Sequence, residues 1–515
     1  MKHLIKTIDT IKNKKILVVS FTASTPHLET SLEITKRLSS MNKVSYVHLG
    51  KYVSRPTLYP GKLIKRKLQL PVRVNRAKKY IEQDINQNED VNWINSKKIN
   101  SKVHKFDYAI KDLTNKFMVN DIIELKSIKF KNYQIGFGLA NNLISDLKDT
   151  NPFPLEKENL KEIKQQYYSA IKTVLLAEIL LEDNSKYDSV ILLNGRFSCE
   201  NAFKQVANYK RLEIFFHECG APYPINRFYF ENYMPQNFDY RKKEILEIKD
   251  KLPNDSIRSI GENFFKRKTS GDGVYEKSYV SNQLKDLSTE LRQFINTHKN
   301  DKLPIISFFT SNDDEFNIIE GSPERFPIWN NQRAAIEKIS KISQDLNCCF
   351  IVRVHPNLQA KSIQEKRRWQ EISKKINING GYWIGESSPE STYSLIKSSD
   401  IIITSGSSVG IEAVFLNKIS IALAKCYYNE VIDCMYTATS PEELIQLINN
   451  YQDLSKPKGS EAYIYGAWSM EYGTEFKYFQ QEKFGYGKME GNKRIASPGI
   501  SQKIAIKLKI IYRNL

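Results

Sequence analysis

Ser398 to Leu423 reads SSDIIITSGSSVGIEAVFLNKISIAL, and its periodicity decides the fold. Ile401 to Thr404 is a short apolar run rich in β-branched residues, the pattern of a fully buried strand. A tight Ser/Gly turn follows, then a helix that starts near Ser408 or Val409, then a second buried strand from Ser420 to Leu423. Together these make one βαβ unit, and a βαβ unit predicts a parallel sheet. A Ser/Gly turn between strand and helix aims backbone N–H groups, hydroxyls and the positive end of the helix at one point, which suits a phosphate. Ser405, Ser407, Ser408 and Gly410 are therefore candidate anion ligands.

About fifty residues upstream, CCFIVRVHPN repeats the geometry. Its strand, Cys349 to Val354, stops at His355 and Pro356, because proline cannot continue a central strand. Arg-x-His-Pro followed by Thr-Ser-Gly-Ser-Ser-Val-Gly-x-Glu-Ala resembles the bacterial capsule and lipopolysaccharide glycosyltransferases of the GT-B type. Polysialyltransferases, Kdo transferases and CDP-glycerol glycerophosphotransferases carry a similar pairing. The resemblance spans about Ile305 to Leu423. It implies two Rossmann-like α/β domains facing a central cleft, with a nucleotide sugar held by the second domain. On that reading Ser405, Ser407 and Ser408 bind the phosphate, His355 and the adjoining Pro356 loop serve the leaving oxygen, Arg353 balances charge, and Glu412 accepts ribose hydroxyls. A plainer role for Glu412 is a dipole contact in the first helical turn, worth about 0.3 to 1 kcal/mol.

A chain of 515 residues exceeds what one core supports and predicts two or three domains. We expect an N-terminal acceptor domain over 1–270, a donor domain over 271–455 and a tail over 456–515 that packs back on the first domain. The net charge is +19. It is uneven: 51–81 carries ten Lys or Arg and no acid, and 485–515 carries seven against Glu490 alone. Such patches suit an anionic membrane surface or a phosphorylated, glycan or lipid-linked acceptor. No nucleic-acid-binding motif accompanies them, so nucleic acid is not an expected partner. No apolar run of about 18 residues exists to span a membrane, and no secretory leader is recognisable, which predicts a cytoplasmic protein at the inner face of the plasma membrane. The six cysteines show no metal-ligand spacing and read as reduced and structural.

Along the chain, strand Ile16 to Phe21, a polar loop, helix Leu28 to Ser40 and strand Val44 to Leu49 open the first domain. His27 sits in that loop, where the resemblance places acceptor contacts. Lys51 to Lys105, with Pro56, Pro60 and Pro71, reads as a basic surface insertion, and Phe106 to Leu147 and Leu155 to Glu182 read as helical. Strand Ser189 to Leu193 ends in Asn194-Gly195-Arg196, and strand Glu213 to Phe216 ends in the loop His217-Glu218-Cys219-Gly220. Both loops fall where α/β sheets bind ligands. Glu218 or His217 is then a candidate base towards an acceptor hydroxyl, and Asn194 and Arg196 are candidate acceptor ligands; equally, all four can pair locally. Gly271-Asp272-Gly273 marks a domain break. In the second domain, Ser311 follows the first strand and is a candidate phosphate ligand. Asp313, Asp314 and Glu315 cap the next segment or supply a base; since GT-B enzymes generally work without a metal, no metal and no cofactor beyond the co-substrate are expected. Ile504, Leu508, Ile511 and Leu515 give the tail an amphipathic face.

The function this implies is sugar transfer from a nucleotide-sugar donor, CMP-linked by the motif pairing, to a growing capsular or lipopolysaccharide glycan. The rival readings are a CDP-glycerol-type polyol-phosphate transferase, a sugar-nucleotide 2-epimerase and a non-catalytic scaffold.

Overall fold

A computed structural model describes residues 8–53, 60–86, 90–220, 226–271, 282–312, 328–430, 432–483 and 486–496, with 60–68 described by backbone alone. The chain forms two units: Met1–Asp146, Phe153–Pro235 and Gly473–Leu515 in the first, Leu147–Pro152 and Gln236–Tyr472 in the second. Both are Rossmann-like α/β units built on a mainly parallel sheet.

Unit 1 is built on strands β1 (Lys15–Ser20), β2 (Lys43–His48) and β3 (Val91–Trp93), a short hairpin of β4 (Lys129–Phe130) and β5 (Tyr133–Gln134), then β6 (Ser189–Leu193), β7 (Glu213–Cys219) and β8 (Arg227–Glu231). The main sheet runs β8-β7-β6-β1-β2-β3. It is parallel except that β8 is antiparallel to β7. Leu17, Val18 and Val19 are all fully buried, as expected of a central strand covered on both faces.

Three expectations are corrected here. The segment 51–105 is not a surface insertion: helix Pro60–Tyr80 accommodates Pro71 and leads to β3, which pairs in parallel with β2. Prolines mimic a loop in sequence, yet the crossover returns Val91 and Tyr80 to the core. The stretch 106–147 is not continuously helical, since the β4–β5 hairpin interrupts it. The residues His217 to Cys219 are not a loop, because β7 extends to Cys219 and pairs with β8.

Unit 2 carries β9 (Ile305–Phe309), β10 (Cys349–Arg353), β11 (Tyr382–Ile384), β12 (Ile401–Thr404), β13 (Ile419–Ala422) and β14 (Tyr436–Thr437). All pairings are parallel, in the order β11-β10-β9-β12-β13-β14. Ile401 and Ile403 pack with Ile336 and Ile339 on one face, whereas Ile402 packs with Leu291 and Leu395 on the other. Burying each such side chain is worth about 1.5 to 3 kcal/mol, which explains the unbroken isoleucine run. Helices Phe238–Lys251 and Asn254–Ser270 belong to this unit, so the first unit ends at Pro235 rather than near 270.

After helix Tyr463–Glu471 the chain returns to unit 1 through β15 (Thr474–Glu475), antiparallel to β8, and a hairpin of β16 (Phe479–Lys483) and β17 (Tyr486–Met489). Buried Glu33 accepts the backbone N–H groups of Lys477, Tyr478 and Phe479 at 2.8, 2.7 and 3.0 Å. The return thus begins at Gly473 rather than 456, and the amphipathic stretch from Ile504 lies outside the described residues, as does the Asp272-Gly273 break. Among the described residues, no helix is long and apolar enough to cross a membrane.

Candidate functional site

In unit 2, Arg353, Phe309 and Thr404 stand in register on adjacent strands, so the residues that follow emerge together at the carboxyl ends, where open α/β sheets take ligands. The middle strand stitches its neighbours. Thr310 Oγ1 accepts the His355 N–H at 2.7 Å, and the Ser311 hydroxyl donates to the Ser405 carbonyl at 3.0 Å. The Ser311 N–H also donates to Gln332 at 2.9 Å. Ser311 therefore helps to build the loop, tying the end of β9 to that of β12.

His355 is half-buried and precedes a 3-10 turn over Pro356–Ala360. Pro356 ends the strand and opens that turn. Nδ1 of His355 accepts the Asn357 N–H at 3.1 Å, so the neutral ring carries its proton on Nε2. That tautomer is a donor, as a leaving phosphate oxygen requires.

The Ser/Gly turn is pinned from within the unit. Gly406 adopts φ +83°, a conformation that favours glycine, and it lets the chain reverse between Ser405 and Ser407. The Tyr428 hydroxyl donates to the Ser407 carbonyl, and Ser405 is fully buried. A Cβ at Gly410 would lie 2.8 Å from Met435 Cε and 3.1 Å from Thr404 Oγ1, so the helix start is closely packed there. Helix Val409–Phe415 has only seven residues, and its dipole alone is a weak source of positive potential. The charge comes from Lys268, on helix Asn254–Ser270, whose Nζ lies 3.0 Å from Ser408 Oγ and 2.5 Å from Glu412 Oε1.

Glu412 is not available to ribose hydroxyls. Ser408 and Tyr393 also donate to it, each at 2.8 Å, and it is buried. Burial pushes its carboxyl up, but Lys268 and the two hydroxyls outweigh that and hold it below the ordinary carboxylate value. Its role is to aim Lys268 and Ser408. Arg353 departs from expectation too: it is buried, donates to the Ser388 carbonyl at 3.2 Å, and is pushed down to about 10 by burial, with Glu390 opposing. It braces the loop after β11. Asp313 lies outside the described residues.

In unit 1 the ends of β6 and β7 meet the start of helix His27–Ser39. Glu218 Oε1 lies 3.3 Å from His27 Nδ1, and Oε2 accepts from Asn194 Nδ2 at 2.7 Å. Cys219 Sγ is 3.1 Å from His27 Nδ1 and 3.3 Å from Glu218 Oε1. Burial pushes the Glu218 carboxyl up, but His27, Asn194 and Cys219 hold it below the usual carboxylate range. Asn194 sits at φ 56°, and Gly195 at φ +80° lies against the Phe216 ring. His217 is excluded as a base because its side chain is buried away from any acceptor, whereas the Glu218 side chain is partly exposed. The Arg196 guanidinium stacks on Phe197, 4.7 Å from the ring centroid. Elsewhere in unit 1 an open cavity of about 830 Å³ is lined by Lys111, Lys157, Lys161 and Lys164 with Tyr168.

The sequence reading missed Lys268, Tyr393, Tyr428 and Cys219. Only Cys219 had a local signal, its place beside Glu218.

No protein-family model matches the chain, and no curated protein does. Among solved structures, it is similar to a β-Kdo 2,4-transferase, KpsC of Thermosulfurimonas dismutans, at 12% identity and TM-score 0.34 over 56% of this chain and 81% of that one. It is also similar to the UDP-GlcNAc 2-epimerase of Neisseria meningitidis bound to UDP-GlcNAc, at 12% identity and TM-score 0.26 over 88% and 97%. Likeness at this level does not carry function, which has to be argued from the residues of the site.

Proposed function

We propose that the chain is a GT-B-type glycosyltransferase that moves a sugar from a CMP-linked donor to a growing capsular or lipopolysaccharide glycan. The observation that carries the reading is the Lys268–Ser408 pair after β12 and His355 after β10, both strand ends being tied to the end of the intervening strand β9. A departing nucleotide phosphate gathers negative charge, and a preset ammonium and an imidazole N–H are groups that stabilise it. Unit 1 takes the acceptor. There Glu218, its far oxygen held by Asn194, is the carboxylate that receives the acceptor proton, with His27 as its neighbour. The lysine-lined cavity of the same unit suits an acidic glycan.

A thermal-shift series with CMP, CDP, UDP and GDP tests this on wild type, His355→Ala and Lys268→Ala. A ligand at 100 times its dissociation constant adds about 2.7 kcal/mol to stability. A cytidine nucleotide should raise the wild-type melting temperature and lose that effect in both variants. Release of free sugar from a nucleotide sugar without acceptor would favour the 2-epimerase reading, a glycerophosphate product the polyol-phosphate transferase, and silence with every nucleotide the scaffold.

A further inference from the structure

His27 Nδ1, Glu218 Oε1 and Cys219 Sγ lie within 4.8 Å of one another, with N···S 3.1 Å, N···O 3.3 Å and S···O 3.3 Å. Tetrahedral Zn²⁺ holds N and O at about 2.0 to 2.2 Å and S at about 2.3 Å, so its ligand atoms stand roughly 3.3 to 3.7 Å apart. The triangle in unit 1 needs to widen by only a few tenths of an ångström, at roughly the precision with which metal-ligand distances are judged. Asn194 fixes the other Glu218 oxygen at 2.7 Å, the outer hydrogen bond that orients a ligating carboxylate. The His27 and Glu218 side chains are 29% and 25% exposed, so an ion can enter and solvent can reach it.

We propose that His27, Glu218 and Cys219 form a Zn²⁺ site with three protein ligands and one open coordination position. One nitrogen, one oxygen and one sulfur donor match a borderline-soft ion, whereas Mg²⁺ and Ca²⁺ require oxygen. On binding, the Cys219 S–H bond breaks, a sulfur–zinc bond forms and the proton leaves to solvent, with no change of oxidation state. The site stands without the transferase reading. One consequence rests on that reading: an ion on Glu218 takes the lone pair that would receive the acceptor proton, so zinc inhibits transfer.

The test is a Co²⁺ titration of the chelator-stripped full chain, followed by absorption and by proton release. One equivalent should produce a thiolate-to-cobalt charge-transfer band, discharged by Zn²⁺. Cys219→Ser and His27→Ala should lose the saturable band, Cys348→Ser should keep it, and Asn194→Ala should weaken affinity about 10- to 100-fold. Circular dichroism melts of the apo variants separate loss of ligand from loss of fold. Absence of a saturable band in wild type, or its persistence in Cys219→Ser, overturns the site. Failure of the transferase reading is read separately, as absence of sugar transfer from every nucleotide sugar with the cobalt band intact.

Discussion

The Lys268 ammonium lies 3.0 Å from the Ser408 hydroxyl, across 140 residues of chain, and is held there by an ion pair with buried Glu412. The pair has two measurable consequences. Lys268→Ala should weaken nucleotide binding about 10- to 100-fold by calorimetry, equivalent to about 1.4 to 2.8 kcal/mol. It should also lower stability by about 3 to 5 kcal/mol, because Glu412 is left as a buried, uncompensated charge. Lys268→Ala/Glu412→Gln should recover most of the stability but not the binding. Because the Glu412 carboxyl is depressed in the folded state, its contribution is present above the ordinary carboxylate range and is lost as pH falls through and below it.

Replacing His355 tests the chemical step as well as binding. His355→Ala removes the proposed donor to the leaving oxygen and should lower kcat about 10²- to 10⁴-fold. It also removes the acceptor of the Asn357 N–H, a loss of about 1 kcal/mol in a thermal melt. Steady-state turnover close to wild type would remove His355 from the mechanism.

Glu162 gives a pH signature in stability. Burial pushes its carboxyl up to about 7, with Asp146 adding to the effect. The folded state therefore binds this proton more tightly than the unfolded chain does. The contribution is complete below about pH 4.5 and is lost as pH rises through 7. Glu162→Gln should stabilise the protein by about 1 to 3 kcal/mol at pH 8 and by progressively less towards pH 5, as read by urea denaturation.

Glu33→Ala should free the returning segment. Three backbone N–H groups lose their acceptor, at a cost of about 2 to 5 kcal/mol. Limited proteolysis should then cut near Lys477 before the rest of unit 1. Unchanged protection of that segment would show that β15 and its pairing with β8 suffice.

The framework of unit 2 was legible because its signals are local. The run Ile401 to Thr404 is the observed strand residue for residue, and Cys349 to Val354 is off by one. In unit 1, β1, the following helix and β2 are each shifted by a single residue. What escaped depends on distant partners. Pro71 disguised a crossover helix as a loop, since a proline's tolerance in a helix depends on what surrounds it. Lys268 looked like one more cation on a charged helix, and nothing near it announces Ser408. The resemblance placed Glu412 against ribose hydroxyls, whereas Tyr393 and Lys268 enclose it. The His27–Glu218–Cys219 triangle spans 192 residues, beyond any motif spacing.

The return of the chain at Gly473 also bears on the order in which the protein is made. Glu33 emerges from the ribosome early, but its three backbone partners are translated 444 to 446 residues later. At about 5 to 20 residues per second, that leaves roughly 20 to 90 s in which this end of the first sheet waits unfinished while the whole second unit is synthesised and can fold. The two units are thus completed in the reverse of the order in which they begin.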